Sequence, residues 1–479
     1  MNRRIIKVYG FLIACFLVLA GFTAYWSVID ADSLKAEKDN RRPLLAAQKV
    51  KRGTIRAADG TVIARSLPVG TGESRKFVRE YPLSSLFGHP VGYSFVEEGN
   101  SEFERYHNET LIGERFRVSS LIDELTGRRA VGDDISTSLD VEAQQVAQDA
   151  LAGQPGAVVA IEPKTGKVRV AAALPSYDPN FVPGNLSELN TDPASPLLDR
   201  ATQGQYPPGS TFKVVTAAAA LDSGAISPDT LIDSPSSLTI QGQPLANFGG
   251  SDFGEIDVRT ALTSSVNTFF AQLGEQVGQE TLYEYMDRFG FNAKPDIDLP
   301  RDELSVSGVF EGGELLNSGD AVDVARIAIG QERLLVTPLQ MAEVAAAIAN
   351  RGVLMKPRIW AGVRDQEGRL VSRMEPEAQS RVISARSAAQ LTDAMEAVVN
   401  EGTGTAAALS GIPVAGKTGT AEVPDRAECE GLPNQAWFIG FAPADDPEVA
   451  VAATVECTAG QGGTVAAPIA AAVMRSLTD

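Results

Sequence analysis

Apolar and polar positions along this chain fall into three regimes. Near the N-terminus the pattern is continuous: Val8 to Ile29 carries no charge and ends at Asp30. A helix needs about 20 residues to cross a bilayer, and this run supplies them. From Asp30 to Asp134 the pattern is mixed and polar. There Arg52–Ile55 and Asp59–Ala64 read as two short strands around an Asp59-Gly60 turn. The charged stretch Asp32–Arg42 reads as a helical extension or linker. Beyond Asp134 helical and alternating patterns take turns. Val141–Leu151 reads as a helix, then Ala157–Ile161 and Val168–Ala173 as strands joined by a tight turn at Pro163–Lys167. Helical sequence follows at Val258–Gly278, Gln331–Asn350 and Ser387–Glu401. Ile412–Val423, Ala436–Ala442 and Glu448–Cys457 are predicted strands, and Ala467–Leu477 a closing helix. Strands near both ends of this unit with helices between predict an α/β sandwich closed by its terminal segments.

The stretch Pro207-Pro208-Gly209-Ser210-Thr211-Phe212-Lys213 interrupts the pattern and then opens an alanine-rich helix that Gly224 closes. Ser210 stands at the helix start, with Lys213 one turn on and on the same face. A serine there is a frequent N-cap, and a serine with an amine in reach is also an activated nucleophile. On this segment alone both roles stay open.

Composition narrows the class. With 479 residues, 44% hydrophobic and 22% charged, the chain is globular and has more than one domain. A net charge of −19 excludes a nucleic-acid binder, which needs a basic face. Three cysteines and two histidines are too few for a zinc cluster, and no metal or cofactor is expected. Arg3, Arg4 and Lys7 precede the apolar run and assign residues 1–7 to the cytoplasm. Leu12-Ile13-Ala14-Cys15 looks like a lipoprotein box, but the apolar run continues past Cys15, and no good cleavage site follows. The expected layout is a cytoplasmic tail (1–7), an uncleaved single-pass membrane anchor (8–29), a small β-rich pedestal (30–134) and a catalytic unit (135–479) outside the membrane.

A hydrolase triad requires histidine, and His89 and His107 both lie before the catalytic unit. Lysine is therefore the available base. Ser210-x-x-Lys213 occurs once, as does Ser265-Val266-Asn267, whose Ser and Asn share a side only where the backbone turns. Lys417-Thr418-Gly419-Thr420 sits in a predicted strand, where period-2 alternation aims Thr418 and Thr420 together and Gly419 lets a substrate backbone approach. Two look-alikes are set aside. Lys164-Thr165-Gly166 serves a hairpin turn. Gly411–Thr418 satisfies a P-loop pattern, but it is followed by a strand where a P-loop opens a helix.

The ordered trio Ser-x-x-Lys, Ser-x-Asn, Lys-Thr-Gly is the set known from penicillin-binding proteins and class A β-lactamases. Further segments are similar to a penicillin-binding transpeptidase domain: Arg200-Ala201, Tyr206–Lys213, Gly330-Gln331, Val336–Gln340, Gly402-Thr403-Gly404 and Ala436–Pro443. Arg52-Gly53-Thr54-Ile55 with Asp59-Gly60 resembles the N-terminal module of class B enzymes, although Arg56-Ala57-Ala58 departs from it. The chain thus resembles a class B penicillin-binding protein, most of all the penicillin-binding protein A type of actinobacteria.

The resemblance implies a fold with an antiparallel sheet sandwiched by helices, plus an all-helical subdomain and a dimerisation-like pedestal. It implies D,D-transpeptidation of peptidoglycan stem peptides ending in D-Ala-D-Ala, and inhibition by β-lactam antibiotics. Ser210 is implied as nucleophile, Lys213 as base and Ser265 as proton relay. Asn267, Lys417, Thr418, Gly419 and Thr420 would bind substrate, and the Ser210 and Thr420 N–H groups would form the oxyanion hole. A membrane glycosyltransferase of the SEDS type is implied as partner, with other wall-synthesis proteins. Three alternatives use the same features: a β-lactamase, a D,D-carboxypeptidase and a non-catalytic scaffold. Class A β-lactamases need a deacylating glutamate, and Glu314-Leu315-Leu316-Asn317 lacks the expected spacing. Finally, Cys429 and Cys457 fall at strand ends that point the same way in an antiparallel run of three, which permits a disulfide and leaves both states open.

Overall fold

Helix α1 (Asn2–Ala24) is apolar from Ile5 to Ala24, long enough to span a membrane, and exposed throughout that run. It begins before the expected anchor, because the Arg3, Arg4 and Lys7 segment is itself helical; Lys and Arg are good helix formers. The structure, a computed structural model, describes residues 2–26, 49–71, 75–113, 131–423, 429 and 431–478. The end of the expected anchor at 27–29 and the charged stretch 32–42 lie outside the described residues.

In the pedestal, β1 (Ile55–Arg56) and β2 (Val62–Val69) pair antiparallel around the Asp59-Gly60 turn, where Gly60 has φ +89°. β3 (Lys76–Glu80) joins β2, and β4 (Asp134–Thr137) lies parallel to β1. Glu104 is buried between two arginines, with Arg52 Nε at 2.7 Å and Arg79 Nε at 2.5 Å. Burial opposes its charge, but Arg79 and Arg52 outweigh burial and hold the carboxyl below its ordinary range.

The catalytic unit opens with α2 (Val141–Leu151), whose cap Asp140 accepts from Ala143 N, followed by β5 (Gly156–Ile161) and β6 (Val168–Leu174). Lys164-Thr165-Gly166 makes the turn between these strands, with Gly166 at φ +78°. Next come α3 (Lys213–Ser223), the hairpin β7 (Ser237–Ile240) and β8 (Gln243–Ala246), α4 (Val258–Thr263), α5 (Asn267–Val277) and α6 (Gln279–Arg288). The predicted helix 258–278 is thus two helices, parted at Ser264–Val266. Ser265 has φ +58° there, a conformation no helix interior accommodates. α7 (Pro338–Ala349) starts later than its apolar pattern suggests. Thr337 caps it, and Pro338 disfavours helical geometry in the residue before it.

β9 (Trp360–Arg364) and β10 (Leu370–Arg373) return to the pedestal, completing a six-stranded sheet in the order β10-β9-β4-β1-β2-β3. The expected boundary at 134/135 falls within β4, and the sheet continues across it. After α8 (Ala385–Asn400) come β11 (Ala415–Glu422), β12 (Asn434–Ala442), β13 (Val449–Thr458) and α9 (Ala466–Thr478). The second sheet runs β11-β12-β13-β5-β6, antiparallel throughout. Its alternation divides two cores. Val158, Ala160, Val170 and Ala172 face the core of α2 and α9, while Ala157, Val159 and Ile161 face that of α7. This is the sandwich closed by its terminal segments that the pattern predicts.

α7 carries a buried carboxyl, Glu343, which burial pushes up to about 8. In the unfolded chain the same group ionises near its ordinary value of 4.5. Between those pH values the unfolded state gives up a proton that the folded state keeps, so stability falls as pH rises through this window. We expect Glu343→Gln to remove a loss of up to a few kcal/mol between pH 5 and pH 8. Urea unfolding of wild type and variant at both pH values measures it; parallel pH dependence in the two would contradict the assignment.

Candidate active site

Gly209 begins a turn of 3-10 helix (Gly209–Phe212) that leads directly into α3. Ser210 makes no side-chain cap bond to that turn and is only half-buried, whereas Thr211, Phe212 and Lys213 beside it are buried. The N-cap role is therefore not the one Ser210 plays. Gly209 has φ +54° and no room for a Cβ, which would stand 2.8 Å from Thr420 O. Gly419 is constrained from the other side, where a Cβ would meet Pro208 O at 2.7 Å. The glycine of the Lys-Thr-Gly strand thus has a cause within the chain itself: it lets β11 close on the turn that carries Ser210. β11 is an edge strand, so it offers N–H groups that no further strand takes. Trp437 on β12 fixes the turn by donating from Nε1 to Pro207 O at 3.0 Å.

Behind Ser210 lies a chain of amines and hydroxyls. Lys213 Nζ donates to Ser265 O at 2.7 Å and to Asn267 Oδ1 at 2.7 Å, and lies 3.3 Å from Ser265 Oγ. Lys417 Nζ donates to the same Ser265 Oγ at 3.0 Å and to Thr418 O at 2.9 Å. The break between α4 and α5 makes this convergence, because the left-handed backbone at Ser265 turns Ser265 and Asn267 to one side. Non-glycine residues in that conformation cost about 1–2 kcal/mol and collect at functional sites. Asn267 Nδ2 donates to Ala246 O at 2.9 Å, which leaves one amide proton over.

Both amines are fully buried. Burial, reinforced by the nearby Lys417 charge, holds Lys213 well below the ordinary lysine value. Burial alone brings Lys417 down to about 7. The site therefore favours one neutral amine and one ammonium, joined through the Ser265 hydroxyl. Such a pair can accept a proton at one end and attract an anion at the other.

The structure joins Lys213, Ser265, Asn267 and Lys417 in one hydrogen-bonded cluster and sets the Gly209–Phe212 turn, which carries Ser210, against Gly419 and Thr420 of β11. Thr418 Oγ1 shares a 2.6 Å hydrogen bond with Thr403 Oγ1, and Thr420 Oγ1 accepts from Gly462 N at 3.1 Å. Thr403 lies inside the Gly402-Thr403-Gly404 signature, the only sign of it in the sequence. Nothing in the sequence points to Glu456, which binds Arg200 Nε at 2.8 Å and Tyr206 OH at 2.5 Å and so anchors the approach to Ser210. Cys429 and Cys457 form a disulfide, which ties the β11–β12 loop to the end of β13 beside Glu456.

The profile of the penicillin binding protein transpeptidase domain matches residues 156–475, and that of the penicillin binding protein A dimerisation domain matches 52–135. The peptidoglycan D,D-transpeptidase PbpA of Mycolicibacterium smegmatis is 35% identical, over 99% of this chain and 98% of that protein. The peptidoglycan D,D-transpeptidase MrdA of Escherichia coli is 30% identical over 84% of this chain and 70% of its own length. Among solved structures, the imipenem acyl-enzyme complex of penicillin-binding protein A from M. tuberculosis is similar with a TM-score of 0.79 and 33% identity. It covers 90% of this chain and all (100%) of that one.

Proposed function

The chain belongs to the penicillin-binding protein transpeptidase family, and from that premise we propose how its residues share the work of a peptidoglycan D,D-transpeptidase. The observation that carries the reading is the Lys213–Ser265–Lys417 chain, which starts at the first residue of α3, directly after the turn that carries Ser210. Neutral Lys213 takes the Ser210 proton as Oγ attacks the carbonyl of the penultimate D-Ala. Charge developing on that oxygen is met by the N–H groups of Ser210 and Thr420, each such donor contributing roughly 3 kcal/mol in acyl-transfer sites. Lys213 returns its proton through Ser265 to the departing amine, and free D-Ala leaves an acyl-enzyme. The amine of a second stem peptide then attacks the ester carbonyl and gives its proton to Lys213, the acyl–Oγ bond of Ser210 breaks, and Lys213 returns the proton to Ser210 Oγ, leaving the cross-link and the free serine. Lys417, with Thr418 and Thr420, holds the terminal carboxylate, while the remaining Asn267 amide proton meets the donor peptide. A β-lactam enters the same path and stops at the acyl-enzyme.

The layout we propose is the anchor, then a pedestal to residue 134, then the transpeptidase from 135, with all beyond the anchor outside the cell. The basic residues preceding the apolar run and the Cys429–Cys457 disulfide support that orientation, since disulfides persist in oxidising compartments. A membrane glycosyltransferase of the SEDS type, supplying the strands to be cross-linked, is the partner this reading calls for. Mass spectrometry on lipid-linked stem peptides tests the reaction. Release of D-Ala together with cross-linked dimers is expected; release without dimers would make the chain a carboxypeptidase.

A further inference from the structure

Phe248 is the most exposed large apolar side chain among the described residues, at 80%. Its loop is nevertheless firmly held. The preceding Asn247 is buried and fully used: Nδ2 donates to Pro235 O and Ser251 O, and Oδ1 accepts from Thr268 N and Oγ1. Its N–H donates to Ser236 O. One residue earlier, Ala246 O takes the Asn267 Nδ2 proton. Ala246, the last residue of β8, and Asn247 are thus stapled to the first two residues of α5, Asn267 and Thr268, and Asn267 is also a partner of Lys213. Phe248 follows at once, and Gly249 and Gly250 turn the chain away at φ +67° and +69°. An aromatic ring is therefore held in solvent within about 7 Å of chain from the atom that binds Asn267. A single exposed ring is ordinary on a protein surface; what sets Phe248 apart is its fixed support one residue from the Asn247 staple and two from the Ala246–Asn267 bond, where covering its ring would remove apolar surface from water.

We propose that Phe248 is a specificity-determining residue for the donor strand: its ring packs on the aliphatic side chain of the residue that precedes D-Ala-D-Ala. This rests on the transpeptidase reading above. The donor backbone reaches Asn267 through its free amide proton, and the next side chain back along that peptide then falls on the Ala246–Phe248 side. A long aliphatic chain offers methylenes to the ring face, which a short one lacks.

The test compares two D-Ala-D-Ala peptides, one with lysine and one with alanine before the D-alanines, on the full chain in detergent. Wild type is expected to prefer the lysine peptide by about tenfold in kcat/KM, the factor that 1.4 kcal/mol makes. Phe248→Ala should bring the ratio near one by raising KM for the lysine peptide alone, and Phe248→Leu should restore part of it. The control is 6-aminopenicillanic acid, which carries no acyl side chain and should acylate both proteins at similar rates. An unchanged ratio in Phe248→Ala, or equal losses on both peptides, would overturn the proposal. Failure of wild type to be acylated at all would instead overturn the transpeptidase reading.

Discussion

Ser210→Ala is expected to form no adduct with penicillin G, where intact-mass measurement of the wild-type chain shows one added penicilloyl group. Removing an acyl-enzyme nucleophile typically costs a factor of roughly 10⁴ or more, because no other group can form the ester. The variant should fold. Ser210 caps no helix and is only partly buried, so the substitution sits among those that change stability by less than about 1 kcal/mol. A stable, folded Ser210→Ala protein that still carries a covalent penicilloyl group would place the nucleophile elsewhere.

Lys213→Met should be nearly as severe on acylation while binding is largely retained. General-base contributions run at about 10²–10⁴-fold, and in the proposed mechanism the base is also the first link of the proton path to Ser265. The pH profile supplies the second readout. In the proposed mechanism Lys213 acts when neutral, so wild-type acylation should climb with pH as Lys213 loses its proton, and burial brings that climb below the range of an ordinary lysine. Lys417 is proposed to act when charged and is brought down to about 7, so carboxylate binding should weaken as pH rises past that point. The expected profile of kcat/KM is a bell, and Lys213→Met should lose its acid limb. A residual rate with an unchanged acid limb would show that the base is another group.

How much of this was legible in the sequence differs from element to element. Sheet alternation was, since Ala157–Ile161 and Ala436–Ala442 keep period 2 against two cores and need no long-range knowledge. A histidine-free unit singled out Ser210, Lys213, Ser265 and Lys417 as candidates, and three of them, Lys213, Ser265 and Lys417, meet in the fold. What escaped was set by tertiary contacts. Ser264–Val266 reads as helix locally, and only the demand that Ser265 and Asn267 face Lys213 breaks it. The close approach of Pro208 and Thr211 to Gly419 is invisible along the chain, so that glycine read as space for substrate. Glu456 is one acid among many until the fold sets it against Arg200 and Tyr206. The assembly of the pedestal sheet could not be read either, since β9 pairs with β4, more than 200 residues earlier, and carries β10 on its other side.

That last pairing has a consequence for biogenesis. A chain threaded across a membrane from its N-terminal anchor presents β1 to β4 early and β9 only after about three quarters of its length has emerged. Until then one side of β4 is an uncovered edge, free to recruit any neighbouring strand. With the orientation proposed above, export of this enzyme would have a vulnerable interval, and chaperones outside the membrane would have a defined client: the nascent sheet waiting for residues 360–364.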